Sequence, residues 1–184
     1  VPVCNVPDYG TTEVADHAVT LMLSLARGIV PYQDRLRPDP VTPWGWAPAP
    51  VLMRRLRGAT FGVVGLGRIG LAAARRAAGF EMKVVFYDPH LPNGVDLATG
   101  YTRVHSLEAL LAQSDAVSLH APYNSETHHL INAAALAHAK PGLLLINTAR
   151  GPLIDLDALY QAMKEGQVGG AGLDVLPNEP PTPL

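Results

Sequence analysis

A glycine-rich segment between a strand and a helix constrains the fold of this chain most strongly. Residues 65–70 read Gly-Leu-Gly-Arg-Ile-Gly, which is a G-x-G-x-x-G pattern. Glycine-rich turns are common, but here the apolar segment Phe61–Val64 runs directly into the pattern and an alanine-rich segment follows it. This context predicts the first strand, the phosphate loop and the first helix of a dinucleotide-binding α/β domain.

The chain after Gly58 alternates short apolar segments with helical ones. The predicted strands are Thr60–Val64, Lys83–Tyr87, Ala116–His120, Leu143–Asn147 and Gly170–Val175. The predicted helices between them are Arg68–Ala78, Leu107–Gln113, Ala133–Ala139 and Asp155–Glu165. Because strands that are apolar on both faces need helices on both sides, the alternation predicts a Rossmann-type α/β fold with a doubly wound parallel sheet.

A long helix is predicted before this core. The segment Thr11–Ile29 begins at a threonine, Thr11 or Thr12, whose hydroxyl can cap the helix, and Gly28 lies near its end. One continuous apolar face recurs at helical spacing and comprises Val14, Ala18, Leu21, Met22 and Leu25.

A proline-rich segment follows the predicted helix. Residues Pro31–Pro50 contain repeated prolines together with Trp44 and Trp46. Because proline interrupts a regular helix, this segment is predicted to be an extended excursion over a surface, with the tryptophans packed locally or on another domain or subunit. The resulting division is a leading helix and excursion over 1–57 and a Rossmann core over 58–184.

Each glycine of the loop has an expected role. Gly65 permits the tight turn, Gly67 lets the backbone approach a pyrophosphate, and Gly70 lets helix and strand pack closely. The first free N–H groups of the helix, near Arg68 and Ile69, then face the phosphates at the positive end of the helix dipole.

Asp88 stands directly at the end of the second predicted strand, after Tyr87 and eighteen positions after Gly70. A carboxylate there accepts hydrogen bonds from the adenosine ribose hydroxyls and repels a 2′-phosphate, which favours NAD over NADP. An Asp-Pro turn is the purely structural alternative. An FAD-type domain carries the same fingerprint, but it usually lies near an N-terminus and no later segment resembles a flavin site.

Composition excludes several classes. The net charge of −2 provides no basic face for nucleic acid, and no apolar run approaches the roughly 20 residues that span a bilayer. No signal-peptide pattern opens the sequence, and the lone Cys4, expected to be buried, fits a reducing cytoplasmic compartment. His120, His128 and His129 do not form a convergent ligand set, so no metal site is predicted.

Several segments together resemble the D-isomer-specific 2-hydroxyacid dehydrogenases. In chain order they are Asn5-Val6-Pro7, Gly65–Gly70, Leu119–Pro122, Glu126–Asn132, Ile146–Gly151, Gly172–Val175 and Glu179-Pro180. The sequences of His128–Asn132 and Phe86–Pro89 are similar to those of the C-terminal-binding-protein branch, whose members are dinucleotide-binding corepressors. Bacterial glycerate, phosphoglycerate and glyoxylate enzymes share much of the same sequence, so the branch to which this chain belongs stays open.

The resemblance implies roles for several residues. Arg150 would bind the carboxylate and carbonyl of the substrate, and Glu179 would hydrogen-bond the catalytic histidine and raise its pKa. Asp174 would bind the nicotinamide carboxamide, while Thr148 and Ala149 would line the nicotinamide half of the site.

The resemblance also implies a loop from Ala121 to Thr127, shaped by Pro122, over the adenosine and pyrophosphate. Family members thread this domain through a substrate-binding domain, and both halves of that domain are expected outside this sequence. The acid–base histidine belongs after Glu179, so the 184-residue chain alone is expected to bind cofactor without catalysis.

For the parent protein the resemblance implies an NAD-dependent enzyme acting on a small 2-hydroxy or 2-oxo acid. It also implies a homodimer formed around Thr11–Ile29, whose apolar face equally fits burial within one chain. The alternative is an NADH-sensing protein-binding module of the corepressor type, which turnover of glyoxylate or hydroxypyruvate would distinguish.

Overall fold

A single parallel sheet organises the protein. The computed structural model describes residues 1–6, 8–36 and 54–179, and within these ranges the sheet has six strands in the order β3-β2-β1-β4-β5-β6. They are β1 (Thr60–Val64), β2 (Lys83–Tyr87), β3 (Thr102–Arg103), β4 (Ala116–Leu119), β5 (Leu143–Asn147) and β6 (Val168–Leu173). The strand order reverses between β1 and β4, which opens a crevice at their carboxyl ends. The predicted Rossmann-type fold is confirmed.

Helices cover both faces of this sheet. They are α1 (Thr11–Arg27), α2 (Ile29–Leu36), α3 (Arg68–Gly79), α4 (Val95–Thr99), α5 (Leu107–Gln113), α6 (Ala133–Leu136) and α7 (Leu156–Lys164). Val63 belongs to the apolar cluster under α1 and α3, whereas its neighbour Val64 belongs to the cluster under α5, α6 and α7. Side chains alternate across a strand, so both faces of β1 are buried, as its uniformly apolar sequence requires.

Helix α1 begins at Thr11 as predicted, but its N-cap residue and its C-terminal end differ from the prediction. Gly28, with φ of +62°, ends the helix after Arg27, because its left-handed conformation turns the chain. The predicted threonine cap is wrong: Gly10 occupies the N-cap position, and the Thr11 hydroxyl instead donates to Asp8 Oδ1 at 3.4 Å. The apolar face is buried within this chain against α3 and the sheet, with Met22 fully enclosed.

The predicted proline-rich excursion is wrong at its start. Residues Ile29–Leu36 form α2, with Pro31 in its first turn, where the missing N–H needs no intrahelical partner. The Tyr32 N–H donates to the Gly28 carbonyl at 3.1 Å. Trp44 and Trp46, with the rest of that segment, lie outside the described residues.

Other local differences are small. Strand β6 begins at Val168, before the predicted Gly170, and β3 and α4 had not been predicted. Helix α6 stops at Leu136, because the chain continues in tighter turns in which the Ala139 N–H donates to the Leu136 carbonyl. Cys4 is exposed, contrary to expectation, because residues 1–6 extend away from both clusters.

Helix α1 lies directly on β6. A methyl group at Gly172 would come within 2.9 Å of Leu21 Cβ, and one at Gly170 within 3.1 Å of Leu25 Cδ2. The glycines of β6 therefore set the distance between this helix and the sheet. None of the helices in the described ranges has the length and hydropathy that crossing a bilayer would require.

Candidate functional site

A cleft of about 770 Å³ opens at the carboxyl edge of the sheet, where the strand order reverses. Its walls come from the segment before α1, the glycine loop and the loops after β4 and β5. The lining residues are Asn5, Val6, Asp8–Thr11, Val14, Gly67–Gly70, His120–Tyr123 and Thr148–Arg150. Segments distant in sequence therefore converge on one site.

The cleft collects many of the predicted site residues but not all of them. Those in its lining are Gly67, Arg68, Ile69, Gly70, Ala121, Pro122, Thr148, Ala149 and Arg150. Those outside the lining are Gly65, Asp88, Thr127, Asp174 and Glu179.

The glycine loop is shaped by its three glycines in different ways. Gly65 has φ of +86°, and a methyl group there would lie 2.9 Å from the backbone nitrogen of Ala121. A methyl group at Gly70 would overlap the Gly65 carbonyl oxygen, whereas one at Gly67 would meet no atom within 4 Å. The loop is thus packed at Gly65 and Gly70 and open to the cleft at Gly67.

The N-terminal end of α3, with its first backbone N–H groups, lies at the cleft. The N-cap is Gly67, which provides no side chain to cap the helix, and Arg68 and Ile69 line the cleft directly. The first N–H groups of a helix have no intrahelical partner, and the helix dipole makes this end positive. The arrangement suits a phosphate group.

Asp88 is held beside the glycine loop. Its Oδ2 accepts a hydrogen bond from the Leu66 N–H at 3.0 Å, and its Oδ1 accepts one from the His90 N–H at 3.0 Å. Each carboxylate oxygen retains a further lone pair for a ligand hydroxyl. The structure therefore presents an oriented acceptor at the end of β2.

The loop after β5 is built around Asn147. Its side chain donates to the Arg150 carbonyl at 2.9 Å and accepts from the Ala149 N–H at 3.0 Å. This turn places the exposed Arg150 at the cleft, where its Nη1 donates to the Ala149 carbonyl at 2.6 Å. The remaining guanidinium N–H groups can bind an anionic ligand.

Thr148 contributes a buried hydroxyl with no partner. Its side chain is 7% exposed, it lines the cleft, and its Oγ1 makes no hydrogen bond in the described structure. Buried polar groups are normally paired, so this oxygen calls for a polar group of a ligand in the cleft.

The loop after β4 is held by its own side chains. The Thr127 hydroxyl donates to the Pro122 carbonyl at 2.7 Å, and Asn124 Oδ1 accepts from the Thr127 N–H at 3.0 Å. Thr127 therefore fixes the loop from within, while Ala121 and Pro122 reach the cleft.

Sequence reasoning missed two features of the cleft. His120 was placed at the end of a strand and rejected as a metal ligand, but it was given no role in the cleft. Its Nε2 lies 2.9 Å from the buried Ser118 Oγ, and burial lowers its pKa to about 4. Asp8 was not singled out, yet its Oδ1 lies 2.6 Å from Arg68 Nη1. The position of His120 directly after β4 could have predicted its place in the cleft. The ion pair of Asp8 and Arg68 joins residues far apart in sequence and had no sequence signal.

Asp174 and Glu179 lie beyond the cleft lining. The Asp174 N–H donates to the Asn147 carbonyl at 3.0 Å, and its carboxylate lies 3.3 Å from His17 Nε2 on α1. Glu179 Oε1 accepts a hydrogen bond from the Leu176 N–H at 2.7 Å. Within the described residues no group of three or more His, Cys, Asp or Glu side chains could hold a metal ion.

Comparison with known proteins identifies the family. Residues 19–184 match the family described as D-isomer specific 2-hydroxyacid dehydrogenase, NAD binding domain. The chain belongs to this family. The glycine loop, the open approach at Gly67 and the orphaned Thr148 hydroxyl all fit the NAD that the domain of this family binds.

Two relatives of this dehydrogenase domain are glyoxylate reductases. The protein of Korarchaeum cryptofilum (strain OPF8) is 42% identical over 181 residues, which is 98% of this chain and 54% of the relative. That of Thermococcus litoralis (strain ATCC 51850 / DSM 5473 / JCM 8560 / NS-C) is 42% identical over 183 residues, which is 97% of this chain and 54% of the relative. The chain thus spans about half the length of these curated relatives.

Solved structures agree with this assignment. The Aquifex aeolicus D-lactate dehydrogenase, crystallised with NAD and lactic acid, is 38% identical, with a TM-score of 0.84. The match covers 95% of this chain and 50% of that one. The dehydrogenase-family fold therefore extends across nearly all of the chain.

Proposed function

We propose that this chain is the cofactor-binding part of an oxidoreductase that transfers a hydride between NAD(H) and a small D-2-hydroxy acid or 2-oxo acid. The observation that carries the proposal is the single cleft that joins the glycine loop to Thr148 and Arg150. A cofactor and an organic acid bound to the guanidinium would thus occupy neighbouring parts of one crevice.

The cofactor would lie along this crevice. Asp88 would accept hydrogen bonds from the adenosine ribose, and the α3 N-terminus with Arg68 would bind the pyrophosphate. Thr148 and Ala149 would line the nicotinamide half, with Asp174 binding the carboxamide. When bound, NAD accepts or supplies the hydride.

Arg150 would bind the substrate. Its guanidinium can hold the carboxylate of a 2-oxo acid through two hydrogen bonds and polarise the adjacent carbonyl as charge develops on the oxygen. Glu179 would orient and support an acid–base histidine supplied by another part of the protein. This role would need Glu179 to bind that imidazole in addition to the Leu176 N–H that it now accepts.

The domain division remains part of the proposal. Residues 58–184 would form the cofactor-binding core and residues 1–57 would lead into it. A substrate-binding domain, which the greater length of the relatives favours, would complete the active site.

Turnover by the complete protein tests the proposal. We expect NADH-dependent reduction of glyoxylate, hydroxypyruvate or pyruvate. Arg150→Met should lower kcat/KM at least about a hundredfold, because a charge-stabilising donor at the carbonyl is lost. The matched control is Arg57→Met, which removes a charge from an exposed ion pair with Glu81. Equal turnover by both variants would remove Arg150 from the mechanism.

A corepressor-type, NADH-sensing binding module is the alternative, because the segments His128–Asn132 and Phe86–Pro89 resemble that branch. The reductase and dehydrogenase relatives favour the enzyme. A protein that binds NADH but turns over none of the three 2-oxo acids would favour the binding module instead.

We also propose a cytoplasmic homodimer without nucleic acid contacts. The buried face of α1 is used within the chain, so support comes from Ile29 and Val30 of α2, which are 54% and 53% exposed. The lone cysteine and the net charge of −2 support the compartment and the lack of a nucleic acid partner. A monomeric sedimentation profile at micromolar concentration would contradict the dimer.

A further inference from the structure

The edge strand β3 carries an arginine that donates hydrogen bonds to the loop after β2. The strand is two residues long, and its Arg103 pairs in register with Phe86 of β2. The Arg103 Nη2 donates to the carbonyl oxygens of Asp88 and Leu91, both at 2.8 Å, and Nη1 donates to that of Pro92 at 3.0 Å. One partly buried guanidinium thus ties three carbonyls of the 88–92 loop together.

This loop begins with the carboxylate that would bind the adenosine ribose. The Asp88 side chain is fixed at both oxygens, by the N–H groups of Leu66 and His90. The Asp88 backbone is fixed by Arg103 through its carbonyl. The loop has no helix or strand of its own between β2 and α4, so its backbone carbonyls depend on side-chain donors such as Arg103.

The chemistry of the clamp requires an arginine. A guanidinium is planar and carries five N–H donors, so its two terminal nitrogens can serve separate carbonyls at once. A lysine presents one nitrogen at the end of a flexible stem and cannot reproduce this fork. The short edge strand therefore supplies a fixed base from which the fork reaches the loop.

We propose that Arg103 is a positioning residue that holds the Asp88 loop in place and thereby sets the preference for NADH over NADPH. The proposal rests on the function proposed above. Only NADH gains from an Asp88 carboxylate aimed at a free 2′-hydroxyl, because a 2′-phosphate is repelled by it. Loosening the loop therefore weakens NADH binding and leaves the already weak NADPH binding nearly unchanged.

If Arg103 acted only through its positive charge, its loss would change the NADH-to-NADPH preference in the opposite direction. Removing a cation near the adenosine end would weaken the binding of NADPH more than that of NADH, because NADPH carries the additional phosphate charge. The ratio of the two dissociation constants therefore separates positioning from electrostatic attraction. General destabilisation of the domain would weaken the binding of both cofactors equally and leave the ratio of their dissociation constants unchanged.

The test is Arg103→Met in the complete protein, with Arg57→Met as the control. Arg57 is an exposed arginine of equal charge that pairs with Glu81, away from the loop. We expect Arg103→Met to raise the Kd for NADH about tenfold, the equivalent of one good hydrogen bond, and to change that for NADPH less than about twofold. The KM for NADH should rise while kcat stays near its original value. The control should change none of these.

Arg103→Lys completes the test. This variant keeps the positive charge but loses the two-pronged guanidinium, so it should restore NADH affinity only in part. Thermal unfolding followed by circular dichroism checks that each variant is folded. Full restoration by lysine, or an unchanged NADH-to-NADPH ratio in Arg103→Met, would overturn the proposal. Wild-type protein that binds neither cofactor would instead reject the proposed function, so the two failures are distinguishable.

Discussion

Gly67 and Gly70 lie three residues apart in one loop, yet an added methyl group would meet opposite surroundings at the two positions. At Gly70 it would overlap the Gly65 carbonyl oxygen, whereas at Gly67 it would project into open space within the cleft. The first glycine is therefore free for a ligand to approach, and the second is required by the fold itself.

This contrast predicts different effects of alanine. Gly67→Ala should change the free energy of unfolding by less than about 0.5 kcal/mol, because the methyl group is exposed. It should weaken NADH binding at least about tenfold, because the methyl group obstructs the pyrophosphate. Gly70→Ala should cost about 1–3 kcal/mol of stability through overpacking. Urea unfolding and an NADH titration measure both, and full NADH affinity in Gly67→Ala would contradict the cleft assignment.

His120 makes stability depend on pH. Its pKa is lowered by burial to about 4, against an ordinary value of 6.5, so between these pH values the unfolded chain binds a proton that the folded chain does not. Stability is therefore unaffected above pH 6.5 and falls as the pH drops towards 4, by about 3 kcal/mol in total.

His120→Gln should remove this contribution, because glutamine does not titrate. We expect the unfolding free energy of the wild type minus that of the variant to fall by about 3 kcal/mol from pH 7 to pH 4. Urea denaturation at several pH values measures it. A difference that is independent of pH would show that His120 titrates normally in the folded protein.

At the scale of elements, the contact between α1 and β6 decides how closely the leading helix covers the sheet. Gly172→Ala should destabilise the protein by about 1–3 kcal/mol, because its methyl group would press on Leu21 Cβ at 2.9 Å. Gly79→Ala, in the last turn of α3, is the control, since its methyl group would meet no atom within 4 Å. It should be neutral or stabilise by up to about 1 kcal/mol through helix propensity. Thermal unfolding measures both; equal effects would argue against the tight packing.

Periodicity and apolar composition predicted the longer elements well. The segments α3, α5 and five of the six strands were predicted from apolar runs that alternate along the chain. The strand β3 and helix α4 were missed because two and five residues are too few to show a period. Helix α2 was missed because Pro31 was read as a breaker, although proline is tolerated in a first turn.

The site was predictable only where a motif carries its own chemistry. Gly67, Arg150 and Thr148 belong to recognisable segments, and the strand order brings them to one cleft. The contacts of Arg103 with the Asp88 loop and of Asp8 with Arg68 join segments that have no sequence signal for pairing. Such contacts depend on the packed tertiary structure.

At the scale of the whole molecule, we infer that this chain binds NAD through the glycine loop and Asp88. The most direct test is a fluorescence titration of the protein with NADH and, in parallel, with NADPH. We predict saturable NADH binding with NADPH at least about tenfold weaker, since the Asp88 carboxylate accepts a 2′-hydroxyl and repels a 2′-phosphate. Equal affinity for the two cofactors, or binding of neither, would contradict this inference.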